Sequence, residues 1–206
     1  MQNIPAFLKN KDIVIIVARY NEDVNWTKQF NNVFIYNKGE ILEGYDNVIS
    51  LQNVGREGHT YYTHIYENYD NLADYTIFLQ GNPFDHSPNI ISDLKKYINE
   101  ENLNISFEFL SEMIHQCTTS KCQKHENIPL KEVYEKIFNK FEEISFYFGA
   151  GAQFLVSKKQ ILKHSKDFYL NIINVLGYSA NPIEGFCVER FHSLIFDYSP
   201  TNAVYI

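Results

Sequence analysis

Cysteine is scarce in this chain. Its three residues, Cys117, Cys122 and Cys187, are too few and too odd in number for the disulfide framework of a small secreted domain. Basic charge is also short: 18 Lys and Arg stand against 25 Asp and Glu, a formal charge of -7. That balance argues against a large phosphate-backbone footprint, so no nucleic-acid partner is expected, while a local basic pocket stays open. Long apolar runs are missing too. Ile13 to Ala18 is far too short to cross a bilayer, and no membrane span is expected. Met1 to Asn10 shows no charged segment leading into an apolar one, so no signal peptide is read and the expected compartment is cytoplasmic. Without a repeat, low-complexity tract or linker, the expectation is a single domain over 1–206.

Aromatic residues are abundant. With 15 Tyr, 16 Phe and 45% hydrophobic residues, burial can offset the entropy of ordering the chain. Ile13 to Ala18 is a continuous β-branched run, the pattern of a strand buried on both faces. Val33 to Tyr36, Asn47 to Leu51 and Tyr75 to Leu79 read as further strands. A short helix through Trp26 and Phe30 and a longer one ending near Asn68 fall between them. The spacing predicts a helix opened by Ser87 as cap and Pro88 as first residue, with Ile90, Ile91, Leu94, Tyr97 and Ile98 on one stripe. Leu130, Val133, Tyr134, Ile137, Phe138 and Phe141 form another stripe. Ile144 to Phe148 and Gln153 to Val156 read as strands flanking a glycine turn, and helices are expected near 168–176 and 186–196. Thr118 to Asn127 reads as loop. Strand–helix alternation in the first half predicts an α/β fold with a mostly parallel central sheet flanked by helices.

In such sheets ligands gather beyond the carboxyl ends of the strands, and three polar motifs fall there. Arg19-Tyr20-Asn21-Glu22 follows the first strand; Arg19 could meet a phosphate bidentately, or the segment could be a loop capping the next helix through Asn21 or Asp23. Asn53 and then Gly55-Arg56-Glu57-Gly58 precede a helix, where glycines let backbone approach a ligand and the helix terminus favours phosphate. The alternative is a turn with Arg56 and Glu57 in solvent. Gln80, Gly81, Asn82, Asp85 and His86 follow the fourth strand, as a binding cleft or as an Asn-Pro turn. Gly149, Gly151 and Gln153 could admit a sugar to the backbone or form a hairpin turn. Glu184 and Glu189, with Arg190 and His192, are candidate acid/base residues, or an ion pair orienting a helix. His115, Cys117, Cys122 and His125 offer four zinc-type ligands, but their spacing lacks paired knuckles and an ordinary loop is the expectation. His59, His64 and His164 read as helix or loop surface.

Read together, "IVIIVARYNEDVNW" and "LQNVGREGHTYYTHIYENYDNLADYTIFLQGN" resemble the GT-A fold of nucleotide-diphospho-sugar glycosyltransferases, a Rossmann-like sheet. "NVGREGHTYYTHIYENYDNLADYTIFLQGNPFDH" and "GAGAQFLVSK…ERFHSLIF" look like an uncharacterised domain family related to those enzymes. The resemblance implies a nucleoside-diphosphate sugar as donor and an acceptor hydroxyl on a glycan, protein or small molecule. It assigns Arg19 and Arg56 to the diphosphate, and Asn21, Asn53 and Glu57 to nucleotide or sugar. It also implies Glu189 as base, with Glu184 in reserve, on the acceptor side. Where the enzymes place Asp-x-Asp, this chain has Gln80-Gly81-Asn82. Amides are weak ligands for hard cations, so Mn²⁺ or Mg²⁺ is expected to be weakly required or dispensable, with Asp85 and His86 as the ligands. Two rival expectations stand beside transfer. One is a domain that binds nucleotide or glycan without turnover; the other is a metal-dependent hydrolase using Asp85, His86 and His192.

Overall fold

A computed structural model describes residues 11–122, 125 and 127–196. Four parallel strands, β1 (Ile13–Arg19), β2 (Val33–Asn37), β3 (Val48–Ser50) and β4 (Tyr75–Gln80), open the chain. Helix α1 (Arg56–Glu67) joins β3 to β4, and a single 3-10 turn, Asn25–Gln29, follows β1. With β5 (Phe107–Phe109) and β8 (Phe154–Ser157) these four strands form a six-stranded sheet of order β3-β2-β1-β4-β8-β5. In it β8 runs antiparallel to both β4 and β5. The expected α/β fold with a mostly parallel sheet is what the chain forms.

Alternation along β1 explains why its apolar run is continuous. Val14 and Ile16 enter one core with Tyr36, Phe78, Phe154 and Val156. Ile13, Ile15 and Val17 enter the other with Ile35, Ile77, Leu79 and Leu155. Both faces are covered, so neither parity can be polar. The first core is closed by Tyr61, Tyr62 and Ile65 of α1, by α5 (Lys166–Leu176) and by α6 (Glu184–Ile195). The second is closed by α2 (Ile90–Asn99), whose Ile90 and Leu94 are fully buried, each stabilising by about 1.5–3 kcal/mol.

Several expectations change. The helix α2 starts at Ile90, not at Ser87: the Ser87 hydroxyl donates to the Leu110 carbonyl at 2.5 Å, so it ties two loops together instead of capping. Ile98 ends the α2 stripe at 41% exposure, and Phe141 lies past the end of α3 (Leu130–Phe138). The strands β7 (Ser145–Gly149) and β8 are not a hairpin. β7 pairs instead with β6 (Ile114–Thr118) in a separate two-stranded sheet, and the segment 150–153 carries the chain from one sheet to the other. The loop read at 118–127 begins inside β6, and a disulfide joins Cys117 to Cys122, where no pairing was expected. That bond removes both thiols from the zinc alternative. Residues 123, 124 and 126 of that loop lie outside the described residues. After β8 the chain makes one helical turn, α4 (Lys158–Ile161), capped by Ser157.

The histidines also differ from expectation. His64 is buried, with its Nδ1 2.9 Å from the Tyr36 hydroxyl, and His164 stacks on Phe168 at 3.9 Å between ring centroids. A histidine inside an amphipathic pattern scores as polar, yet a ring bonded to a buried tyrosine belongs to the core.

Candidate functional site

The strand order reverses direction between β1 and β4: the chain builds outward through β2 and β3, then returns to add β4 on the other side. Loops leaving the carboxyl ends of these two strands must part there, and the gap is where open α/β sheets bind ligands. A cleft of about 560 Å³ lies at that place. Its walls are Ala18, Arg19, Tyr20 and Glu22 after β1, Lys38 after β2, Asn53, Arg56 and Glu57 around the start of α1, Gln80, Asn82 and Asp85 after β4, and Ala180 and Asn181 before α6. The three strand-end motifs therefore converge.

The start of α1 is built under strain. Gly55 has φ 65° and Arg56 has φ 52°, two consecutive left-handed residues. Gly55 tolerates this without a side chain; Arg56 does not, and such positions cost about 1–3 kcal/mol each. Support comes from the segment before α6, whose Ser179 and Ala180 carbonyls accept the Gly55 and Arg56 amides. The Arg56 guanidinium lies 4.4 Å from the Phe186 ring centroid and 3.7 Å from the Glu57 carboxylate.

Arg19 differs from its expected role. It is buried, and its guanidinium donates to Asn37 Oδ1 at 2.6 Å and to the carbonyls of Glu22, Tyr20 and Glu40. It organises the loop more than it offers itself to a phosphate. Asn21 accepts the Glu40 amide and does not line the cleft, while Asp23 accepts the Asn25 amide at the 3-10 turn. Gly81 gives its carbonyl to Trp26 Nε1, also off the cleft wall.

The sequence missed Lys38, which reads as part of an ordinary Asn-Lys-Gly turn. Its Nζ donates to the Val54 and Arg56 carbonyls, and burial pushes its ammonium down to about 8 despite the Glu57 carboxylate. Burial and the Lys38 charge push neighbouring His59 down to about 4.

The second half of the chain supports the cleft from behind. Glu189 does not line it: its Oε1 accepts the Gly151 amide at 2.8 Å and its Oε2 lies 3.7 Å from Arg190. Burial, then the charge of Glu57, raise its carboxyl above the ordinary value, against the pull of the Gly151 amide, Arg190 and Arg56. Gly151, at φ 85°, packs so closely on the His86 ring that a Cβ would lie 2.4 Å from it. Gly149 packs on Phe109. Gln153 is fully buried, off the cleft wall, and its Nε2 donates to the Pro83 carbonyl, so it braces the 81–86 loop.

Arg190 is buried too, held by the Phe186 carbonyl, Cys122 Sγ, His125 Nδ1 and the Phe148 ring, and does not line the cleft. His192 sits in the core against Phe154, Tyr61 and Tyr62, with burial pushing it down to about 3. Glu184 is occupied by the Tyr178 hydroxyl and lies 3.9 Å from Lys136. His86, packed on Gly151, and His192, in the core, do not join Asp85 on the cleft wall. Among the described residues no group of three or more His, Cys, Asp or Glu could hold a metal ion. Asp85 lines the cleft, with its Oδ2 3.4 Å from the Asn82 amide nitrogen. No helix among the described residues is long and apolar enough to cross a membrane.

Residues 14–204 match the family described as "Protein of unknown function (DUF3431)", and the chain belongs to that family. No curated protein and no solved structure matches it.

Proposed function

We propose that this member of the family binds a nucleoside-diphosphate sugar in the cleft between β1 and β4 and transfers the sugar to an acceptor hydroxyl. One observation carries the reading. Polar residues from four separate strand ends line one cleft at the topological switch point of the sheet, where nucleotide sites of open α/β folds are built. The GT-A likeness of the β1 to β4 segment supports the same reading. The antiparallel β8 beside β4 leaves the parallel half of the sheet, β3-β2-β1-β4, intact.

Chemically, transfer demands that the diphosphate be held, its growing charge be met, and the acceptor hydroxyl lose its proton if configuration inverts. Arg56 and the N-terminal end of α1 offer positive potential to the diphosphate. Gln80, Asn82 and Asn53 supply amides for ribose and sugar hydroxyls. A base must come within hydrogen-bond reach of the acceptor. Glu57 lines the cleft and Glu189 does not, which favours Glu57 as the proton acceptor. Glu189 is then the buried neighbour, whose ionised form burial and the Glu57 charge disfavour.

The rival is binding without turnover. It draws on Gln80 and Asn82, amides standing where the resemblance leads one to expect acids. Incubating the protein with nucleoside-diphosphate sugars and mixed acceptors, and following release of the nucleoside diphosphate, separates the two. Acceptor-dependent release supports transfer; binding with no release supports the rival; neither binding nor release removes both.

A further inference from the structure

Three cations line the cleft, and their environments rank them. Arg19 spends its guanidinium on Asn37 and three carbonyls. Arg56 lies over the Phe186 ring beside the Glu57 carboxylate. Lys38 is held differently: its ammonium has three N–H donors, and two go to the Val54 and Arg56 carbonyls. Those carbonyls flank Gly55, within the strained Gly55–Arg56 pair. Lys38 thus pins the turn that starts α1, and one N–H remains on a residue of the cleft wall.

We propose that Lys38 is the cation through which the cleft grips a phosphate-bearing ligand, and that gripping it tightens the turn that presents α1. The proposal rests on the diphosphate reading for its biological ligand, but its chemistry concerns any phosphate-type anion. Two carbonyls and a third, anionic acceptor complete the coordination of an ammonium, and a charge-assisted bond in a partly desolvated place is the strong kind. Its electrostatic surroundings are mixed. Glu57 and His59 of α1 face it, Arg19 accepts the Lys38 amide through its carbonyl, and Arg56, Glu22 and Asp85 share the cleft. With Lys38 pushed down to about 8, a free site loses this charge in mildly alkaline solution, and an anion that needs the charge must bring a proton in with it.

The test is calorimetric titration of inorganic pyrophosphate, and separately of nucleoside diphosphates, at pH 7 and pH 9. It uses the wild type, Lys38→Met and Lys38→Arg, with thermal melts to confirm folding. Wild type should bind pyrophosphate about tenfold more weakly at pH 9. Lys38→Met should lose at least about tenfold at pH 7. Lys38→Arg keeps its charge at both pH values and should bind with little pH dependence. A shift of the Lys38 Nζ NMR signal on adding pyrophosphate reads the same contact without any variant. Pyrophosphate bound through Lys38 with no gain from a nucleotide would uphold the inference and sink the nucleotide reading. Nucleotide bound equally by wild type and Lys38→Met, or no anion bound by wild type, would overturn the inference.

Discussion

Acid should unfold this protein through its buried histidines. His64 is 6% exposed and His192 is 1% exposed, and burial pushes them down to about 4 and about 3. In the unfolded chain each titrates near the ordinary value of 6.5. Above that value both are neutral in both states, and their contribution is complete. As pH falls, the unfolded chain takes up protons that the folded one refuses. Stability is therefore lost from 6.5 down to about 4 for His64 and about 3 for His192. Each group costs about 1.4 kcal/mol per pH unit in that window. Two groups across two units amount to about 5.6 kcal/mol, comparable with the whole stability of a marginal domain. Glu189 acts the other way: its raised carboxyl binds a proton earlier in the folded state and returns part of the loss. Urea unfolding followed by Trp26 fluorescence at pH 7, 6 and 5 measures the slope. His192→Phe keeps a ring among Phe154, Tyr61 and Tyr62 and removes a buried Nε2 that has no hydrogen-bond partner among the described residues. It should flatten the slope by about 1.4 kcal/mol per unit. A variant that keeps the wild-type slope would show that His192 is protonated, or wet, in the folded protein, and the reasoning would fail.

Glu57→Gln should keep folding and donor binding while losing at least about a hundredfold in transfer rate, whereas Glu189→Gln should lose much less. The reverse order in a nucleoside-diphosphate release assay would return the base to Glu189. Chelators should change donor affinity little, because Gln80 and Asn82 put amides where the resemblance leads one to expect two acids. Binding that collapses both in chelator and in Asp85→Ala would refute that. Arg190→Met should destabilise by about 3–5 kcal/mol in urea, since Glu189 and the Phe186 carbonyl would lose a buried partner. A near-neutral change would mean that water already reaches them.

The first half of the fold was legible because its two central strands, β1 and β4, are buried on both faces. β1 shows an unbroken apolar run and β4 one interrupted only by Thr76, and polar residues follow both. The cleft followed from the same logic, since Arg19, Arg56 and Gln80 all mark strand or helix boundaries. β5 and β6 were not legible: three residues, Phe107–Phe109, carry no period, and β6 contains His115, Gln116 and Thr118. The supposed hairpin failed because a glycine turn fixes where a strand ends, not which strand it pairs with. Arg190 and His192 looked functional because ionisable residues in a helix near a glycine turn resemble a site, and their burial is decided by distant elements such as Phe148 and Tyr61. Lys38 was missed for the opposite reason. Its two acceptors lie sixteen and eighteen residues away, across a turn whose shape depends on left-handed backbone at Gly55 and Arg56.

The central claim is a nucleotide site between β1 and β4, and a melting-temperature titration with nucleoside diphosphates and their sugar conjugates tests it most directly. A ligand at 100 times its Kd should stabilise the fold by about 2.7 kcal/mol. The shift should shrink in Arg56→Ala and persist in Glu184→Gln, whose residue lies off the cleft wall. No shift with any nucleotide or sugar nucleotide at millimolar concentration, or an equal shift in both variants, would contradict the account.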